Sequence, residues 1–579
     1  MGLDINSFAS IWLVDFEFSA PPGEVPTPIC LVAQEFRSGK NIRIWEDKLH
    51  ELKAPPYPVG EDSLVVAYYA PAEMGCHLAL GWSTPARVLD LYAEFKNMTN
   101  GKKLPCGAGL LGAMAWFGLD AIDANEKEGL RNLAIRGGPW TDSERKALLD
   151  YCESDVIALA KLLPVMLPHI DLPRALFRGR YTAAAARMER AGIPIDVDAL
   201  STLEANWEEV KRQLIEEVDA QYQVFENGTF KTERFAKFLA TQDIPWPLLP
   251  SGHLALDEDT FSMMAKVHPS LGPLHQLRQT LSKIRTLKLE VGTDGRNRCM
   301  LSIFGSKTGR NQPSNSKFIF GAPNWLRGLV RPEPGKGLAY LDYCQQEFGI
   351  AAALSGDEAM QNAYHSGDPY LAFAKLAGAI PPDGTEATHP AIRDQYKGCA
   401  LGVQYGIGAE SLARQIGQPV HQAQRLLSLH HQSFPKFWAW SDSSIDHAML
   451  LGNLYSVFGW MVHTGVDTNP RMLRNFPMQA NGAEILRLAC WLATERGITV
   501  CAPVHDAILI EASLDELEST ILDAQRAMEE ASQIVLDGFS LRSDAFVIHH
   551  PDRFLEERGR EMWDSVWRII GNLQVPGRV

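Results

Sequence analysis

The stretch PVHDAILIEA, Pro503–Ala512, sets a histidine and an aspartate between two apolar runs, GITVCA before it and AILIEA within it. Both runs read as buried β-strands, so the fragment predicts an antiparallel pair with a carboxylate between its strands. Burying an ionised carboxylate without a partner costs several kcal/mol. Asp506 is therefore either a turn residue that caps the backbone or a group whose charge something else compensates. The fragment alone leaves both readings open.

Two further segments carry the same tension. The strand GLAYLDY ends on Asp342, and CQQEFGIAAALSGD begins a helix just beyond it, with Gln345 and Glu347 at the strand's end. Functional groups in α/β units collect there, although Asp342 alone also fits a helix N-cap. In RDQYKGCALGVQYG, Arg393, Lys397, Leu401 and Tyr405 recur every four residues and form one helical stripe about 18 Å long at 1.5 Å per residue. A merely solvated face accounts for the cations but not for Gly402 and Gly406, each costing about 1 kcal/mol in a helix. The stripe suits a ligand anionic at one end and flat at the other, a nucleoside triphosphate, with Lys397 able to protonate a leaving phosphate. Mg²⁺ takes one or two protein carboxylates and completes its shell with phosphates and water. Two aspartates can hold two such ions about 3.5–4 Å apart, the arrangement for nucleotidyl transfer.

The chain is long enough, at 579 residues and 46% hydrophobic, for three or four domains or subdomains. Its net charge of −15 argues against a simple DNA-coating protein but permits a nucleic-acid enzyme with its cations confined to a cleft. Nine scattered cysteines without a CxxC pair argue against zinc and disulfides and fit a reducing cytoplasm. Neither a signal peptide nor an apolar run long enough to span a membrane is expected. The first 170 residues alternate strands such as IWLVDFEF and SLVVAYYA with helical segments, an α/β pattern. LPHIDLPR reads as a boundary, residues to about 295 as mostly helical, 296–355 as irregular and then β, and 357–450 as helical again.

The order of these motifs resembles the family A DNA polymerases, the bacterial DNA polymerase I type. LDYCQQE is similar to that family's motif A, RDQYKGCALGVQYG to motif B and VHDA to motif C; TGR (Thr308–Arg310), NFPMQANGAE and the carboxy-terminal PDRFLEERGREMWDSVW extend the match. The resemblance implies an α/β and α+β multidomain chain, with a right-hand polymerase domain at about 173–579. The thumb would lie near 190–295, the palm at 173–189, 296–356 and 451–579, and the fingers near 357–450. By position, Asp342 and Asp506 become metal-binding carboxylates, Arg393 and Lys397 triphosphate ligands, and Tyr405 a neighbour of the templating base. Gln345 and Leu401 would line the nucleotide pocket, and Glu347 would be the steric gate against a 2′-hydroxyl. Arg310, Asn475, Gln479 and His505 would track the primer–template from the minor groove, where contacts test base-pair shape more than sequence. Departures are Leu401 in place of an aromatic residue, Ala507 in place of a glutamate, Tyr370 in place of a histidine, and Trp460–Met461 in place of an arginine-rich turn.

In the amino-terminal part, LVDFEF puts Asp15 and Glu17 on one strand face, and YCESD puts Tyr151 and Asp155 one helical turn apart. Together they resemble a DEDDy-type, RNase H-like 3′–5′ exonuclease domain, expected over residues 1–172, with no 5′-nuclease domain in front. Glu73 stands where that family has its second-motif aspartate, and Asp90 reads as an ordinary helix residue. The implied metal ligands are Asp15, Glu17, Glu73 and Asp155, with Tyr151 orienting water. The resemblance thus implies a template-directed DNA polymerase with proofreading, of bacteriophage type, using two Mg²⁺ at the polymerase site and two at the exonuclease site, for which Mn²⁺ can substitute. Its partners would be primer–template DNA and dNTPs. It would work as a cytoplasmic monomer, alone or with replisome or processivity factors. Two alternatives are weighed: a polymerase specialised for a modified purine such as 2-aminoadenine, and a nuclease or catalytically impaired DNA-binding protein on the same scaffold.

Overall fold

The computed structural model describes residues 4–120, 124–286, 288–465 and 467–574. Its first sheet runs β1 (Ser10–Ser19), β2 (Thr27–Glu35), β3 (Asn41–Trp45), β4 (Ser63–Ala67) and β5 (Val88–Asp90), in the order β3-β2-β1-β4-β5. β1 pairs antiparallel with β2 and parallel with β4, which places it at the sheet's centre. Its branched and aromatic residues suit a strand covered on both faces. Ile11 and Leu13 pack into one core; Trp12, Val14 and Phe16 pack into the other. The same two-residue period turns Asp15 and Glu17 to the Ile11 side, where helix α2 (Asp142–Met166) lies with Cys152, Val156 and Leu159.

The proline-rich stretch expected as a boundary is a tight connection. Leu167–His169 form a 3₁₀ turn, Asp171 caps the next helix by accepting from the Arg174 N–H, and α3 (Leu172–Ala191) begins at once. α3 belongs to both halves: Leu172, Ala175 and Leu176 join the first core, and Tyr181, Ala184, Ala185 and Met188 join the core of the second half. It also approaches β5 closely, since a Cβ on Gly179 would stand 1.9 Å from the Val88 carbonyl. Beside it, the buried Arg178 guanidinium makes two 2.6 Å hydrogen bonds to Glu94.

The second sheet contains β6 (Lys336–Tyr343), β7 (Thr499–Val504), β8 (Ala507–Ser513) and β9 (Ser543–His549), all antiparallel, in the order β7-β8-β6-β9. Helix α6 (Pro470–Glu495) packs against β7, the helix Leu517–Val535 packs against β6, β8 and β9, and α4 (Gln346–Ser355) packs on α6. Between them in sequence lie the helices from 358 to 451, including α5 (Pro390–Gln404). The segment from 197 to 286 is mainly helical, and its Phe235, Phe261 and Leu274 share one core with Leu338, Leu509 and Val566. All nine cysteines are free thiols, and among the described residues no helix is long and apolar enough to cross a membrane.

One expectation is corrected here. Asp90 ends β5 and caps the following helix, its Oδ1 accepting from the Tyr69, Tyr92 and Ala93 N–H groups. It is a buried cap, not an ordinary helix residue; burial pushes its carboxyl up to about 7 despite the Oδ1 donors, and its Oδ2 has no hydrogen-bond partner among the described residues.

The Arg178–Glu94 pair gives a stability test. Arg178→Ala strands a buried carboxylate and should destabilise the chain by about 3–5 kcal/mol in denaturant unfolding. Arg178→Met combined with Glu94→Leu should cost much less, because neither charge then lacks its partner.

Candidate active site

β7 and β8 are joined by the two-residue turn His505–Asp506, closed by the Val504–Ala507 pair, with His505 in the left-handed region at φ 56°. Ala507 lies opposite Asp342 on β6, so the turn sets Asp506 beside Asp342 at one end of the sheet. Burial, followed by repulsion from Asp506 and Asp544, pushes Asp342 up to about 7. Burial also raises Asp506, opposed by the positive charge of Arg310. One Asp342 oxygen, Oδ1, is buried without a hydrogen-bond partner among the described residues. Arg310 offsets Asp506 only in part and no cation among the described residues offsets Asp342, and all-oxygen donors suit Mg²⁺ or Mn²⁺. The motif reading missed Asp544. It lies on β9 directly opposite Asp342 on β6 and so shares a sheet face with it. Only strand register reveals it.

A second group of side chains stands over this pair. The Tyr405 hydroxyl donates to Glu347 Oε1 at 2.9 Å, the Gln479 amide donates to the Tyr405 hydroxyl at 3.2 Å, and Arg310 lies 3.7 Å from the same Glu347 oxygen. Burial raises Glu347, partly offset by the Tyr405 bond and the Arg310 charge. Asn475 sits one turn before Gln479 on α6, His505 is exposed at the hairpin tip, and Gln345 accepts from Arg542 at 3.3 Å.

The expected four-residue stripe is only partly realised. α5 stops at Gln404 and Tyr405 is its C-cap, because the chain turns at Gly406 with φ 65°. Leu401 is half-buried against the core and Lys397 is exposed. Arg393 is not an open triphosphate ligand here: its Nε donates to Asp368 at 2.5 Å and its guanidinium lies 3.1 Å from Glu386. The buried Tyr370 ring underlies both cations, 5.8 Å from Arg393 and 5.9 Å from Lys397.

In the first half, Asp15 and Glu17 from β1 and Asp155 from α2 bring one carboxylate oxygen each within 4.8 Å of one another, a set able to hold a metal ion. Tyr151, one turn before Asp155, keeps its proton far above the ordinary range, through burial and the repulsion of Asp155, Glu17 and Asp15. Glu73 lies outside that set. It is buried on α1 (Pro71–Ala79), and burial followed by repulsion from Asp15 raises it well above a normal carboxyl. Its Oε2 has no hydrogen-bond partner among the described residues. Glu73 thus faces the same carboxylates without joining the tight cluster.

Residues 314–542 match DNA polymerase family A, and the chain carries a family A DNA polymerase domain. It is similar to the thermostable DNA polymerase I of Thermus thermophilus, 26% identical over 377 residues that cover 60% of this chain and 44% of that protein. It is also similar to DNA polymerase I of Aquifex aeolicus, 24% identical over 67% of this chain and 73% of that one. The DNA polymerase of Mycobacterium phage D29 is 23% identical over 67% of this chain and 66% of its own length. The chain therefore spans less than half the length of the Thermus relative. Its fold matches the POL domain of Pol1 from M. smegmatis, solved in complex with DNA primer-template and dNTP, with a TM-score of 0.67 at 18% identity over 93% of this chain and 95% of that one.

The raised Asp342 gives a pH prediction. Its carboxyl titrates near 4 when unfolded and near 7 when folded. The folded state binds more protons between those values, so stability falls as pH rises through about 4 to 7. In EDTA, Asp342→Asn should therefore melt higher than the parent at pH 8, and the gain should vanish at pH 4. Adding Mg²⁺ at pH 8 should raise the parent's melting temperature more than the variant's.

Proposed function

We propose that this chain is a template-directed DNA polymerase that adds deoxynucleotides to a primer 3′ end, with a 3′–5′ exonuclease in its first 172 residues. The observation that carries the reading is the Asp342–Asp506 pair: two carboxylates at one sheet end, both raised by burial and short of compensating charge. They would hold divalent cations, which supply charge neutralisation at the attacking hydroxyl and the leaving oxygen.

The remaining steps fall to the chain's own groups. Lys397, exposed on α5, is free to reach the triphosphate and protonate the departing pyrophosphate. Arg393 must exchange its Asp368 and Glu386 contacts for phosphate oxygens, which ties triphosphate binding to a movement of α5. Glu347, fixed by Tyr405 and Arg310, fills the space a ribose 2′-hydroxyl would need. Gln345 and Leu401 line the nucleotide pocket. Arg310, Asn475, Gln479 and His505 follow the primer–template, chiefly along the minor groove. The Tyr405 hydroxyl bonds both Glu347 and Gln479 here, so a templating base would enter beside a ring held by two partners.

In the exonuclease reading, Asp15, Glu17 and Asp155 would hold a cation with Glu73 close by. Tyr151 stays protonated at neutral pH, so its hydroxyl can donate to and orient an attacking water. A scaffold that only held DNA would have no use for two such carboxylate sets.

Primer extension with Mg²⁺ and dNTPs tests the polymerase. Asp342→Asn and Asp506→Asn should reduce extension to background, and Lys397→Ala should slow it by about 10²–10⁴-fold, the usual weight of a general acid. Extension that persists in Asp506→Asn sinks the two-metal assignment. Digestion of a single-stranded 3′ end should stop in Asp15→Ala; unchanged digestion there removes the exonuclease site.

A further inference from the structure

The turn after LYSVFG, where Trp460 and Met461 stand, is bound to the amino-terminal half through an interlock that the proposed reactions do not use. The segment that closes the helix Leu91–Thr99 supplies most of it. The Asn97 side chain donates to the Gly459 carbonyl at 3.2 Å and accepts from the Met461 N–H at 2.7 Å. The Asn100 carbonyl accepts from the His463 N–H at 2.9 Å, and the His463 ring lies 2.9 Å from the Met98 carbonyl. The fit is close: a Cβ on Gly101 would stand 2.6 Å from the His463 carbonyl.

Asn100 does more than join two surfaces. Its side-chain amide donates both to the Met461 carbonyl, at 2.7 Å, and to the Lys307 carbonyl, at 2.6 Å. Lys307 lies in the loop that ends at Arg310. Trp460 grips that loop from the other side, its indole N–H donating to the same Lys307 carbonyl at 3.0 Å while its ring stacks on Phe304, 5.2 Å between centroids. Arg487 donates to the Gly309 carbonyl at 2.6 Å, and the loop closes on itself through the Arg310 N–H to Ser306 Oγ bond at 2.9 Å. The Lys307 and Gly309 carbonyls held in this way lie just before Arg310, whose guanidinium lies 3.7 Å from Glu347.

We propose that Asn100, from the amino-terminal half, is a positioning residue for the polymerase site, holding the Gly305–Arg310 loop so that Arg310 supports Glu347. The inference rests on the polymerase reading and on Glu347 as the sugar gate. Its consequence is that the amino-terminal half tunes sugar selection without touching substrate.

The test is single-nucleotide incorporation by the full chain, comparing deoxy- with ribonucleotides. Asn100→Ala should lower discrimination by up to about tenfold, the factor one neutral hydrogen bond carries, in the same direction as Arg310→Ala. The double variant should be no worse than Arg310→Ala alone, because both act through one contact. Trp460→Phe, which keeps the ring but loses the other donor to the Lys307 carbonyl, should shift discrimination the same way and covers the case in which Asn100→Ala folds poorly. His463→Ala weakens the interlock without touching the loop, so it should lower the melting temperature and leave discrimination unchanged. Unchanged discrimination in both Asn100→Ala and Trp460→Phe, or effects that multiply in the double variant, overturns the inference. If the parent fails to extend a primer, the polymerase reading itself fails. If the parent extends and Arg310→Ala is impaired while the two loop variants are not, only the positioning role is lost.

Discussion

Asp342 and Asp506 repel one another, yet the register of one sheet keeps them together. β6 and β8 pair so that Ala507 lies across from Asp342, and a two-residue turn leaves Asp506 nowhere else to go. Hydrophobic burial of those strands on both faces supplies the force that holds the charges in place. Such an arrangement persists in a folded protein when something outside the chain completes it, and strained electrostatics of this kind cluster at functional sites. Arg310 ties this pair to the neighbouring group: its charge opposes the rise of Asp506, and its guanidinium lies 3.7 Å from Glu347, which Tyr405 also bonds.

The two halves are not beads on a string. α3 lends one end to each core, the buried Arg178–Glu94 pair crosses the junction, and Asn97 and Asn100 grip the turn at Trp460. A chain built this way fixes the distance between its two carboxylate sites.

Much of this was legible in the sequence where local periodicity carries the information. A two-residue repeat puts Asp15 and Glu17 on one face of a buried strand, and a four-residue step puts Tyr151 with Asp155; the structure joins three of these four in one cluster and sets Tyr151 beside it. The acids at strand ends, Asp342 and Asp506, stood out because a core strand has no other use for them. What escaped depends on partners distant in sequence. Asp544 meets Asp342 only through the β6–β9 register, some 200 residues apart. Arg393 is engaged by Asp368, 25 positions upstream. Asp90 reads as an ordinary helix residue because nothing in its neighbourhood announces the hydrogen bond it accepts from the Tyr69 N–H. Glu73 matched by position, but the turn into α1 sets its carboxyl outside the tight cluster.

The most direct measurement is a crystal structure of the full chain with primer–template, an unreactive dNTP analogue and Mn²⁺, with data collected for anomalous scattering. The account predicts anomalous peaks coordinated jointly by Asp342 and Asp506, with the triphosphate reaching Lys397. A bound substrate whose cations bypass both aspartates, or a palm pair that stays metal-free while the nucleotide sits elsewhere, contradicts it.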